Sequence, residues 1–332
     1  MIVAADGSGD VRTVQEAIDR VPANNAGRVV IRIKNGVYKE KLSIDKPHIT
    51  LIGEDAERTI VTYDDFARKK LPNGEAYGTF RSYTAFVGGD DFAAERITFE
   101  NAAGPGEIVG QALAAYVDAD RARFRECRFL GHQDTLFTGP LPPAPMKPGT
   151  AFACPRGDAA PRSPIRQYYR DCYIEGDVDF IFGSATAVFD RCTIHSKNRL
   201  DRDLRLEPPH HAGINGWCTA ASTPEGAPFG YVFLDCRLTS DAPPATVLLG
   251  RPWRGYAKTA FLRCWMGEHI RPDGWDNWDK PEAEGTAVYC EYGNVGPGAA
   301  LDRRVPWAKR LTPEEAAAYE VSNVLPGWDE II

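Results

Sequence analysis

The sequence predicts an all-β solenoid, a parallel β-helix with short capping helices and one long loop insertion. Two observations carry this. The first is a repeat built on cysteine. Phe124-Arg125-Glu126-Cys127-Arg128-Phe129 matches Tyr169-Arg170-Asp171-Cys172-Tyr173-Ile174 and Phe189-Asp190-Arg191-Cys192-Thr193-Ile194. Phe233-Leu234-Asp235-Cys236-Arg237-Leu238 and Phe261-Leu262-Arg263-Cys264-Trp265-Met266 continue it, and Phe92 to Phe99 fits with Ile97 at the cysteine position. The cysteines are spaced by 45, 20, 44 and 28 residues. That is one or two copies of a unit of about 20 residues plus loops, the signature of stacked β-rungs. The second observation is a helix-start signal at each end of the chain.

The elements follow in chain order. Thr13-Val14-Gln15-Glu16 reads as a capping box opening a short amphipathic helix. The repeat comes next, its cysteines forming an inward ladder of small apolar side chains beside aliphatic ones. The cysteines are expected to be free and buried, since free cysteine is among the most buried residue types. Residues 138–165 hold eight prolines and little periodicity, so they read as a loop insertion, not a rung. Thr312-Pro313-Glu314-Glu315 repeats the capping device ahead of a C-terminal helical tail over about 312–324. The whole of 1–332 reads as a single domain, because a repeating β architecture absorbs this length.

Composition removes several functions. The formal net charge is −7 with no basic stripe, which argues against nucleic acid. No run of ~20 apolar residues exists to span a membrane. The eight cysteines form no Cys-x-x-Cys pairs, so neither a metal nor a redox cofactor is expected. Met1-Ile2-Val3-Ala4-Ala5-Asp6 lacks a basic n-region and a long apolar h-region, so the literal reading is a cytoplasmic protein.

Three strings carry chemistry. Gly131-His132-Gln133-Asp134-Thr135-Leu136-Phe137 and Gly176-Asp177-Val178-Asp179-Phe180-Ile181-Phe182-Gly183 each set an aspartate in an apolar, turn-flanked segment. Leu249-Gly250-Arg251-Pro252-Trp253-Arg254 adds an arginine and a tryptophan. Two carboxylates, amides and an arginine suffice for acyl transfer on an ester, with a carboxylate as nucleophile. No Gly-x-Ser-x-Gly elbow offers a serine instead. Taken singly, each aspartate could cap a turn, the glutamines could form a structural ladder, and Arg251 could be an ordinary ion pair. A glycoside hydrolase, which also pairs carboxylates, and a non-catalytic carbohydrate-binding module remain as alternatives.

Together these strings resemble the pectin methylesterase family of carbohydrate esterases. The resemblance also takes in Ala5 to Asp10, Tyr38, Gly53-Glu54 and Gly110-Gln111-Ala112-Leu113-Ala114. It implies a single-stranded, right-handed parallel β-helix with an open cleft. It also implies hydrolysis of galacturonyl methyl esters in pectin or methylated oligogalacturonides, by a monomer without cofactor. By the same resemblance Asp179 is the nucleophile, through a covalent anhydride, and Asp134 the general acid/base. Gln111 and Gln133 stabilise the oxyanion, and Arg251 orients the nucleophile. Trp253, and Thr79 in the looser string Gly78 to Ser82, contact the sugar, and Phe180 is read from its own string as a further cleft candidate for sugar contact. Asp177, Ser184 and Phe137 depart from the threonine, asparagine and tyrosine common in plant-like members. The Pro-rich insertion suggests a bacterial-type branch. As is common for the family, a secreted mature form is the alternative to the cytoplasmic reading.

Overall fold

The computed structural model describes residues 1–142, 164–199 and 213–328. Each turn of the chain lays down short strands in up to three sheets, and every pairing of strands within these sheets is parallel. An eleven-stranded sheet runs from Ile2–Val3 to Lys309–Arg310, and an eight-stranded sheet from Gly36–Lys39 to Trp265–Met266. A seven-stranded sheet, from Leu42–Ile44 to Val247–Pro252, carries the site. This is the predicted parallel β-helix.

The repeat now has a physical meaning. Its aromatic is the penultimate residue of a strand of the eleven-stranded sheet, and its cysteine closes the turn into the eight-stranded sheet. The residue just before the cysteine is left-handed: Glu126, Asp171, Arg191, Asp235 and Arg263 have φ of 51–56°. That conformation disfavours side chains by about 1–2 kcal/mol per residue, of which the exposed ion pairs between four of these residues return at most about 1 kcal/mol each. Arg191 binds both oxygens of Asp171, and Arg263 both oxygens of Asp235. Inside, the rings stack nearly parallel: Phe124 on Tyr169 at 5.0 Å, Tyr169 on Phe189 at 4.8 Å, Phe189 on Phe233 at 4.5 Å, Phe233 on Phe261 at 4.3 Å. Beside them the cysteines are buried and free, as are the other described cysteines, Cys218 and Cys290.

The ends differ from expectation in two ways. The helix Val14–Asp19 covers the N-terminal end with Val14, Ala17 and Ile18 buried, and Thr13 accepts from the Glu16 amide as predicted. The return half of that capping box is absent, because Glu16 pairs with Arg20 and the Glu40 carboxylate takes the Val14 and Gln15 amides at 2.9 Å each. Thr312 and Glu315 do form the full box, on Pro313–Ala317. That helix and Val321–Val324 lie along the flank, not over the end. They pack Ala316, Val324 and Trp328 on the outward apolar residues Tyr168, Val188, Val232 and Ala260 of the eleven-stranded sheet.

Most of the insertion, 143–163, lies outside the described residues, as do His210, His211 and Cys154. Its departing stem is described: Leu141 packs with Phe80, Phe137 and Phe182, and Ser184 Oγ donates to the Pro140 carbonyl.

Candidate active site

The three strings converge on the outer face of the seven-stranded sheet. Its strands Leu136–Thr138, Val178–Gly183, Gly216–Ala221 and Val247–Pro252 lie side by side in that order. Asp134 sits in the turn entering the first, and its amide donates to the Val178 carbonyl at 3.0 Å. Asp179 lies in the second, within a register shift between Val178 and Ile181. Both aspartates are left-handed, with φ of 64° and 50°. Such backbone costs about 1–3 kcal/mol and concentrates at functional sites. Gly216 lets the third strand pass close by, since a Cβ there would lie 1.8 Å from the Asp177 carbonyl oxygen.

Arg251 reaches back to Asp179 in a two-pronged contact, Nε to Oδ1 at 2.8 Å and Nη2 to Oδ2 at 2.7 Å. Both side chains are only 9% exposed. Asp134 is equally enclosed, and burial pushes its carboxyl well above the usual carboxylate range. The charge of Asp179 adds to that push, Arg251 opposes it, and Asp177 reinforces it. The geometry thus separates the two aspartates: one is gripped by a cation, and the other is held toward its protonated form.

The remaining predicted residues distribute as follows. Gln111 and Gln133 occupy neighbouring rungs, with the Gln133 carbonyl accepting from the Ala112 amide, and both are half-buried. The Gln133 side chain lies against Gly106, where a Cβ would meet its Oε1 at 2.8 Å. Trp253 is half-buried over an aromatic floor, with ring centroids 5.8 Å from Phe182, 6.4 Å from Phe80 and 6.5 Å from Phe137. Thr79 opens the short turn Thr79–Arg81 that supplies Phe80 to that floor. Phe180 does not join them. It is 0% exposed in the interior core, so it is corrected from a sugar contact to a core residue. The register shift at Asp179 breaks the alternation of the strand. Phe180 and Ile181 turn inward, while Val178 and Phe182 stay outside.

Several neighbours went unread in the sequence. Trp217 and Trp278 lie over the Arg251 guanidinium, each 3.8 Å from its carbon to the ring centroid. Lys280 donates to the Pro252 and Trp253 carbonyls, and burial, with help from Arg251 and Arg254, lowers its ammonium to about 8. Beneath the aspartates, Asp177 accepts from the Val178 amide at 2.8 Å and meets His132 Nδ1 at 3.5 Å. Among the described residues no group of three or more His, Cys, Asp or Glu could hold a metal ion, and no helix is long and apolar enough to cross a membrane.

The profile of the family described as Pectinesterase matches residues 1–140 and 158–328. The chain belongs to the pectinesterase family. The match skips 141–157, inside the Pro-rich insertion. Pectinesterase 31 of Arabidopsis thaliana is 38% identical over 96% of this chain and 89% of its own length. The chain spans 57% of the longer Probable pectinesterase/pectinesterase inhibitor 36 of the same plant, at 37% identity over 98% of this chain. Both of those relatives are plant proteins. Among solved structures, the pectin methylesterase from carrot superposes with a TM-score of 0.80 at 32% identity, over 99% of this chain and 94% of that one. A pectin methylesterase in complex with a hexasaccharide also superposes at 0.80, with 29% identity over 98% and 97%.

Proposed function

We propose that this pectinesterase hydrolyses galacturonyl methyl esters of pectin, releasing methanol and leaving free carboxylates. The observation that carries the reading is the pairing of unlike carboxyls: Asp179 in the two-pronged grip of Arg251, beside Asp134 held toward its protonated form. In this mechanism Asp179 attacks the ester carbonyl carbon. The negative charge that develops on the carbonyl oxygen is met by the amides of Gln111 and Gln133, donors of a kind worth about 3–4 kcal/mol each in the transition state. The tetrahedral centre collapses to an anhydride as methoxide leaves with the Asp134 proton. Asp134, now ionised, takes a proton from water, and the resulting hydroxide attacks the anhydride carbonyl. Asp179 is released, and Asp134 ends protonated. Trp253 and Thr79 line the sugar face.

The solved pectin methylesterase in complex with a hexasaccharide supports an oligosaccharide as the ligand of this chain. The proposed mechanism needs no group beyond those of one chain, and a monomer is the proposed acting species. A plant-wall polymer as substrate supports the secreted reading over the cytoplasmic one. The test is product analysis on methylated oligogalacturonides. Methanol without new reducing ends is the expected result. New reducing ends, or binding without turnover, would replace this reading with a glycoside hydrolase or a binding module.

A further inference from the structure

Arg251 is held on more than its hydrogen-bonding edge. Its guanidinium has Trp217 and Trp278 each at 3.8 Å. The two tryptophans come from different elements, Trp217 from the strand Gly216–Ala221 and Trp278 from the segment beyond Trp275. One carboxylate ties them. Asp276 Oδ2 accepts from Trp217 Nε1 at 3.1 Å, and Oδ1 accepts from the Trp278 amide. Asp276 is itself anchored to the site strand, its amide donating to the Gly250 carbonyl at 3.1 Å. Trp217 is 4% exposed and packs with Val178 and Leu248, so it is closed to a polymeric substrate.

From this geometry we infer that Trp217, tied through Asp276 to Trp278, is a positioning residue for Arg251 in the esterase reaction. The inference rests on the function proposed above. A guanidinium is flat, so two indoles against it restrict rotation about its long side chain and exclude water from its faces. Its edge then presents Nε and Nη2 together to the two oxygens of Asp179, which fixes the attacking lone pair. An arginine free to rotate would keep its charge but lose the parallel contact.

The test is a double-mutant cycle on methanol release from a methylated oligogalacturonide, using wild type, Trp217→Leu, Arg251→Lys and the double variant. Trp217→Leu is expected to lower kcat about tenfold, the scale of a desolvated cation–π contact, with KM within about twofold. Trp217→Phe, which keeps a ring face, recovers most of that loss. In the Arg251→Lys background the same leucine change costs less than about threefold, because an ammonium has no flat face to clamp. Equal losses in the two backgrounds overturn the inference, as does a raised KM with kcat intact. Where Trp217→Leu fails to fold, Asp276→Ala cuts the tie and enters the cycle in its place, read by the same criteria. Wild-type turnover separates the two ideas. No methanol from wild type sinks the proposed function, whereas methanol with additive losses sinks the clamp alone.

Discussion

Replacing Arg251 by lysine tests the grip on Asp179, the proposed nucleophile, while keeping its charge. The native contact is two charge-assisted hydrogen bonds, of 2.8 and 2.7 Å, between side chains 9% exposed. One ammonium cannot meet both oxygens in the same parallel geometry. Losing one charged hydrogen bond in such surroundings costs about 1.5–3 kcal/mol. Losing the stacking on Trp217 and Trp278 adds about 0.5–2 kcal/mol. Because the two losses overlap, we take about 2–4 kcal/mol for the whole, felt when Asp179 attacks. That corresponds to a fall in kcat of about 30- to 1000-fold. The fold should suffer less, because the carboxylate keeps a cation beside it. Arg251→Ala, by contrast, strands a buried charge at a cost of about 3–5 kcal/mol. Initial rates of methanol release give kcat and KM, and thermal melts of both variants give the stability side. A lysine variant within about threefold of wild-type kcat would refute the reasoning, since orientation by the guanidinium would then not govern the attack.

The ladders were legible in the sequence because a solenoid repeats its environment. The same corner at each rung asks for the same aromatic and the same small thiol, so Phe124, Tyr169, Phe189, Phe233 and Phe261 announce one another. The site strings were legible for a different reason: Asp134, Asp179 and Arg251 sit in short local patterns that resemble a known family. What stayed hidden depends on contacts between distant segments or on a local break of period. Trp217 and Trp278 meet at Arg251 from positions 61 residues apart, and no local spacing reports that. Phe180 reads as an outward residue only if strict alternation holds, and the register shift at Asp179 cancels it. The C-terminal helices read as an end cap because a capping box locates a helix start but not its docking face. That face is set by the outward residues Tyr168, Val188, Val232 and Ala260. At the other end, Glu16 pairs with Arg20, and Glu40, just past the strand Gly36–Lys39, takes the Val14 and Gln15 amides from 24 residues beyond Glu16.

Three further outcomes are expected. Asp179→Asn keeps the side-chain size but removes the attacking charge, so methanol release should fall by about 10³-fold or more; wild-type-like turnover would remove Asp179 as nucleophile. The seven described cysteines should resist thiol reagents until the protein unfolds, since all are buried, and burial also pushes Cys127 and Cys218 up to about 12. Rapid labelling of Cys127 or Cys218 in the native state would contradict the closed interior. Finally, Asp134→Asn should lower activity yet raise stability, by an amount that depends on pH. The folded carboxyl holds its proton well above 3.8, chiefly because it is buried. Below 3.8 it is protonated in both the folded and the unfolded chain, so it imposes no pH dependence. As pH rises from there toward the raised folded value, the unfolded chain releases this proton first, which favours unfolding and erodes wild-type stability. Each tenfold difference in proton affinity between the two states is worth about 1.4 kcal/mol. Asparagine does not titrate, so the stability gap between variant and wild type should open with rising pH and level off once the folded carboxyl ionises. Urea melts of both proteins across a pH series measure that gap. A gap that stays constant with pH would mean that Asp134 is as easily ionised in the fold as out of it. The protein would then lack the protonated acid that the departing methoxide requires.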